Sequence, residues 1–187
     1  MSARVDIFET SLGGLRILQR NLIKDHRGYL ERMFCAQELE AMLSNKRIAQ
    51  INHSLTRKVG SVRGMHFQYP PHAETKIVSC LAGEVFDVAV DLRQGSPTFL
   101  QWHGEVLSSE NHRALLIPEG FAHGFQTLRD DCEMLYLHTA PWTPGSEGGL
   151  QPADPALNIQ WPKPRTEISP RDSAFALVTP DFAGVAA

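Results

Sequence analysis

Apolar positions in this chain come in short runs, and their spacing predicts mostly β-structure. Residues 76–81, 85–92, 113–117 and 132–139 are rich in Val, Leu and Ile. Turn signals separate them, at Ala82-Gly83, Gln94-Gly95-Ser96-Pro97 and Pro118-Glu119-Gly120. An earlier strand is expected within residues 14–24, followed by a turn at Asp25-His26-Arg27-Gly28. Only residues 36–46 carry helical spacing, through Leu39, Met42 and Leu43, with Glu38 and Glu40 near the start. Many short strands at fairly even spacing predict an all-β antiparallel sandwich or barrel with a few short helices. From Thr143 onward the composition shifts to Pro, Gly and Asp, so residues 143–187 are expected to wrap irregularly, anchored by Trp161-Pro162. Residues 1–187 read as a single domain, with no internal repeat.

Alternation within the strands adds chemistry to this outline. Lys76, Val78 and Cys80 share one face of their strand, and Met134, Tyr136 and His138 share one face of theirs. Reactive side chains among apolar neighbours on an inward face predict an interior that is a binding cavity. A chain of 187 residues buries a substantial core without disulfides. Its net charge of −3 gives no electrostatic reason to expect nucleic acid as a partner. No apolar run is long enough for a membrane span, and the first ten residues carry Arg4, Asp6 and Glu9, so no signal core is expected. Three cysteines, far apart and without a C-x-x-C pair, fit reduced thiols in a cytoplasmic protein.

Residues 63–76 concentrate the candidate chemistry. They hold a possible proton acceptor, His66, and two cations, Arg63 and Lys76. A base beside a cation that neutralises developing negative charge suits removal of a proton from carbon next to a carbonyl. Strict alternation would point Arg63 and His66 to opposite faces, so a bulge is expected near Gly64. Pro118-Glu119-Gly120-Phe121-Ala122-His123 has the P-x-G-x-x-H form of a cupin jelly-roll hairpin, which aims His123 into the barrel mouth. Many cupins hold a metal with two or three His and one Glu. His66, His72, Glu74 and His123 fit that set poorly, because His66 and His72 are separated by Pro70-Pro71 and Lys76 would repel a cation. No metal and no cofactor is expected. The blander alternative is a hydrogen-bonded core histidine at position 66. The company of Lys76 and Tyr136, both mid-strand where a plain barrel has aliphatics, argues against it.

Arg63-Gly64-Met65-His66-Phe67-Gln68, residues 83–93, Gly95-Ser96-Pro97-Thr98, Ser109-Glu110-Asn111 and residues 117–125 together resemble the dTDP-4-dehydrorhamnose 3,5-epimerase family. The resemblance runs from about Asp25 to Asp172. It implies a metal-free cupin-type jelly roll (a double-stranded β-helix) that works as a homodimer on a sugar nucleotide. It further implies His66 as the base and Asp172 as the carboxylate that orients it. Lys76 falls beside the C4 carbonyl of the sugar, and Tyr136 is the acid on the opposite face. Arg27, Glu31, Gln50, Asn52, Arg63, His123, Glu147 and Arg171 match positions that hold the sugar nucleotide, and Trp142 matches an aromatic that stacks on the nucleobase. The physics of such a reaction agrees. A histidine faces a carbon acid more than roughly ten pKa units weaker, a deficit on the order of 14 kcal/mol, so the enolate must be stabilised where its charge appears. Inversion takes a proton from one face and returns one to the other, which requires two groups.

Departures from the family pattern gather around the pocket. Pro141-Trp142 stands for a Tyr-Tyr pair, Leu137 for a Lys, Thr75 for a Gly and Arg171 for a Lys, and no Trp precedes Asp154-Pro155. The implied activity is epimerisation at C3 and C5 of a nucleotide-linked 4-keto-6-deoxyhexose. The alternatives are a C3-only epimerase, a 3,4-ketoisomerase, a metal-dependent cupin oxygenase, or a sugar-nucleotide binder without turnover.

Overall fold

A computed structural model describes residues 4–186. The first half of the chain holds β1 (Val5–Glu9), β2 (Arg16–Arg20), β3 (Ile23–Asp25), β4 (Gly28–Leu30), α1 (Glu40–Leu43), β5 (Gln50–Thr56), β6 (Val62–Gln68) and β7 (Lys76–Ala82). The second half adds β8 (Glu84–Asp91), β9 (Trp102–Ser108), β10 (Arg113–Ile117), β11 (Phe121–Thr127), β12 (Cys132–His138), β13 (Glu147–Gly149) and α2 (Pro170–Ser173). All strand pairs within the sheets are antiparallel. One sheet has the order β1-β2-β10-β7-β12-β5 and the other β13-β6-β11-β8-β9, with β3-β4 a separate hairpin. Two sheets face to face, closed by crossovers, form a jelly roll.

Three apolar clusters hold the layers together. The central one lies between the sheets and joins Val78 and Cys80 of β7, Val85 and Ala89 of β8, Ile117 of β10, Phe125 of β11 and Met134 of β12. A second cluster, containing Met65, Phe67, Val88 and Val90, is covered by Leu150, Leu157 and Ile159 from the C-terminal wrap. The third packs Leu39 and Leu43 over Leu18, Ile77, Leu116 and Leu137. Both faces of the central strands are therefore covered, which explains their nearly continuous apolar sequence. Each fully buried side chain of this kind contributes roughly 1.5–3 kcal/mol.

The predicted strands match closely in position, and β10 coincides with its predicted range. Two elements differ. The helix expected over residues 36–46 contracts to Glu40–Leu43, because Leu39 at its N-cap offers no side-chain acceptor and Ser44 and Asn45 adopt left-handed φ of 49° and 65°. The early strand divides into β2 and β3, since β2 is committed to pairing with β1 and β10 whereas β3 pairs only with β4. Trp161 anchors the wrap as expected: its indole N–H donates to the Pro152 carbonyl at 2.8 Å and its ring meets Phe86 edge-on. Among the described residues no helix is long and apolar enough to cross a membrane.

Candidate active site

The interior of the jelly roll is filled at one end and open at the other. On β7, Val78 and Cys80 join the central cluster while Lys76 lines a cavity of about 970 Å³. On β12, Met134 is packed in the cluster while Tyr136 and His138 line that same cavity. The predicted faces of both strands are thus the observed ones. Of the thirteen site residues expected from sequence, eleven line this cavity: His66, Lys76, Tyr136 and Asp172, with Gln50, Asn52, Arg63, His123, Trp142, Glu147 and Arg171.

Arg63 and His66 reach one cavity because the chain bulges between them. His66 pairs with His123, yet Arg63 pairs with Phe125, so β6 spends one residue more than β11 over this step. Gly64 makes the bulge feasible. Its φ is +120°, and a Cβ there would stand 2.6 Å from Gly124 Cα and 2.7 Å from the His123 carbonyl oxygen.

The C-terminal wrap carries Asp172 back to β6. The Val62 amide donates to the Glu167 carbonyl, and Val62 bridges Ile168, which brings α2 alongside. Ser169 caps α2 by accepting from the Asp172 amide at 3.0 Å. Asp172 then accepts from the Gly64 amide at 3.1 Å and meets His66 Nε2 at 2.8 Å. Burial alone would raise the Asp172 carboxyl, but the hydrogen bonds from His66 and Gly64, with the charge of His66, hold it at about 2. Arg171 Nη2 also lies 2.8 Å from His66 Nε2. One nitrogen cannot donate to Asp172 and accept from Arg171 together. Asp172 is an ionised, buried acceptor, so Nε2 directs its proton there, and Arg171 is secured by Glu147 at 2.9 Å. That tautomer leaves Nδ1 as the nitrogen able to take a proton.

Lys76 is buried and has a fixed counter-charge, Glu74, at 2.9 Å. The other Glu74 oxygen accepts from the Gln68 amide, and Gln68 also takes a hydrogen bond from the Thr143 amide at 2.8 Å. The lysine's partner is in this way tied to the loop that carries Trp142. Beside it, burial first and the Lys76 charge second lower His138 to about 4, so its imidazole is neutral at pH 7. The Tyr136 ring lies between His123, edge-on at 6.2 Å, and His138, stacked at 6.2 Å. Burial pushes the Tyr136 phenol far above its usual value, which keeps it protonated. His123 is held by fully buried Asp87 at 2.9 Å, and burial raises that carboxyl against the opposing pull of His123 and Lys76.

β5 supplies a polar ladder along the edge of the site. Gln50 accepts from the Trp142 amide at 2.9 Å, and Asn52 lies 3.4 Å from His138 Nε2. Ser54 Oγ is 3.2 Å from the Tyr136 hydroxyl, and Thr56 accepts from Arg63 Nε at 2.8 Å. Every second residue of this strand thus holds one group of the site.

Arg27 and Glu31 do not line this chain's own cavity. Arg27 sits at the exposed tip of the β3–β4 hairpin and pairs with Asp25 at 2.6 Å. Glu31 is drawn to the other side of the six-stranded sheet, where Arg20 and His112 hold it. The residues that sequence reasoning passed over are Ser54, Thr56, Gln68 and Asp87; His138 was placed on the cavity face without a role, and Glu74 was weighed only as a metal ligand. Asp87 is the one with a clear signal, a carboxylate inside an apolar strand. Among the described residues no group of three or more His, Cys, Asp or Glu is arranged to hold a metal ion.

Fold and cavity together define a cupin-type jelly-roll protein equipped for proton transfer. The family model described as dTDP-4-dehydrorhamnose 3,5-epimerase matches residues 9–179. The chain is 43% identical to the dTDP-4-dehydrorhamnose 3,5-epimerase of Salmonella typhimurium, over 92% of this chain and 94% of that one. It is 42% identical to the dTDP-4-dehydrorhamnose 3-epimerase of Streptomyces niveus, over 74% and 67% of the two chains. The crystal structure of dTDP-6-deoxy-D-glucose-3,5-epimerase from Legionella pneumophila, in complex with dTDP-4-keto-L-rhamnose, superposes with a TM-score of 0.89 at 39% identity, covering 97% of this chain and 98% of that one. The chain belongs to the dTDP-4-dehydrorhamnose 3,5-epimerase family of isomerases.

Proposed function

We propose that this protein is a cytoplasmic, cofactor-independent epimerase that inverts C3 and C5 of a nucleotide-linked 4-keto-6-deoxyhexose, with dTDP as the nucleotide. The observation that carries the reading is one cavity walled by an oriented histidine, a buried ammonium and a protonated phenol. His66 Nδ1 removes the proton next to the C4 carbonyl, and Asp172 holds the ring and offsets its charge. Lys76 stabilises the enolate oxygen, while Tyr136 delivers a proton to the other face of the same carbon. Arg63, Arg171, His123, Gln50, Asn52 and Glu147 bind the sugar and diphosphate, the arginines through paired N–H groups. Trp142, exposed at the mouth, stacks on the nucleobase.

A homodimer belongs to the same proposal. The β3–β4 hairpin presents Ile23, Tyr29 and Leu30 to solvent, and the edge strand β5 presents Ile51 and Leu55. Pairing two copies would cover these side chains and direct the hairpin's Arg27 toward the second copy's cavity. The C3-only alternative has a specific basis in the relative from Streptomyces niveus. Turnover of dTDP-4-keto-6-deoxyglucose in heavy water, followed by NMR, decides between them. Deuterium at both C3 and C5 is expected, label at C3 alone means a mono-epimerase, and no label removes the mechanism.

A further inference from the structure

Gln68 stands between the two halves of the proposed site. It is buried at the end of β6, and both polar atoms of its amide are engaged. Its oxygen accepts from the Thr143 amide at 2.8 Å, on the loop that holds exposed Trp142 at the mouth. Its nitrogen carries two hydrogens and faces three acceptors. These are the His72 carbonyl at 3.0 Å, the Pro141 carbonyl at 3.2 Å and a carboxylate oxygen of Glu74. With one hydrogen on His72, the loop's Pro141 and the Glu74 carboxylate compete for the other. Glu74 is itself buried, and its second oxygen holds the Lys76 ammonium at 2.9 Å.

We infer that Gln68 is a positioning residue that couples the seating of the nucleobase on Trp142 to the charge Lys76 presents to the sugar. This rests on the epimerase reading above and deepens it. A hydrogen bond from Gln68 takes up part of the Glu74 charge and leaves more of the lysine's charge for the enolate oxygen. When that hydrogen turns to Pro141, Glu74 faces Lys76 alone and offsets more of it. The exchange is felt strongly because both charged groups are buried, where little water screens them. The place of Pro141 relative to Gln68 therefore sets the strength of the lysine as an electrostatic catalyst. A base stacked on neighbouring Trp142 fixes that place. Contact made at the nucleobase then raises the rate at the sugar carbon as well as tightening binding.

The test compares dTDP-4-keto-6-deoxyglucose with the same sugar carrying a diphosphate and no nucleoside, following inversion by NMR in heavy water. For wild type, loss of the nucleoside should raise KM and also lower kcat on the order of tenfold. In Gln68→Met the whole substrate should fall to the lower kcat, and removing the nucleoside should then change KM alone. Thr143→Pro deletes the loop's N–H with Gln68 intact and should give the same pattern, which decides the matter where Gln68→Met does not fold. Three outcomes overturn the coupling. One is an equal kcat for the two substrates in wild type. Another is a variant that slows both substrates by one factor, as a residue that only supports the fold would. The third is a variant that loses the KM difference together with the kcat difference, as a merely displaced loop would. Absence of inversion of the whole substrate by wild type sinks the epimerase reading and the coupling with it, whereas an unchanged wild-type kcat on the truncated sugar sinks the coupling alone.

Discussion

At the scale of single residues, a side chain here matters less for its type than for the neighbour that fixes its state. His66 is useful because Asp172 settles which nitrogen holds the proton, and Asp172 does so because it stays ionised. Asp172→Asn should therefore lower kcat on the order of 10²–10³-fold with little change in KM, as measured by initial rates. The same carboxylates bear on acid stability. Asp172 and Asp91 both lie below their ordinary value of 3.8, at about 2 in the folded protein. For Asp91 burial opposes the shift, and hydrogen bonds from Arg93, Ser96 and Thr98 outweigh it. A depressed folded-state pKa contributes stability that is present above the unfolded value and is lost as pH falls through the folded one. Unfolding experiments on Asp91→Asn should show lower stability at pH 7 and a flatter pH dependence between about 4 and 2. Histidine, lysine and tyrosine could be picked out as candidates from sequence because each is out of place in an apolar strand. Glu74 was legible only as a candidate metal ligand, since its pairing with Lys76 depends on a contact that the sequence does not show.

At the scale of elements, two strands decide the site. β6 needs its bulge to bring Arg63 and His66 to one side, and Gly64 is the residue that allows it. Gly64→Ala should destabilise the protein by on the order of 2–4 kcal/mol and lower activity further than the loss of folded protein accounts for. Denaturant titration and rates per folded molecule check the two parts separately. The need for a bulge was legible from the parity of positions 63 and 66 alone. β5 was not legible. Its inward residues Gln50, Asn52, Ser54 and Thr56 are polar and its outward ones include Ile51 and Leu55, the reverse of the usual strand pattern. A strand that faces a wet cavity inverts the signal by which strands are recognised. The shortened α1 has a related cause: apolar spacing reports which face packs, and carries no information on where caps are missing.

At the scale of the whole molecule, the all-β outline and the filled-and-open interior followed from strand spacing and from the inward faces of β7 and β12. What sequence alone did not supply was the route of the chain ends. The wrap turns back through Val62 and Ile168 to deliver Asp172, a contact between residues far apart in sequence. The β3–β4 hairpin goes the other way and leaves Arg27 outside its own cavity. In the proposed dimer Arg27→Ala should raise KM for the sugar nucleotide several-fold with kcat nearly unchanged, since it would contribute binding and no chemistry. A monomer by light scattering, with unaltered KM in that variant, would count against the pairing.

The account turns on two groups serving opposite faces of one sugar carbon, and Tyr136→Phe in heavy water separates them most directly. With His66 intact and the phenolic proton gone, deuterium should enter next to the carbonyl with configuration retained, and inverted product should fall on the order of 10²–10⁴-fold. Inversion at a rate near wild type in Tyr136→Phe would contradict the account, as would the loss of exchange together with inversion.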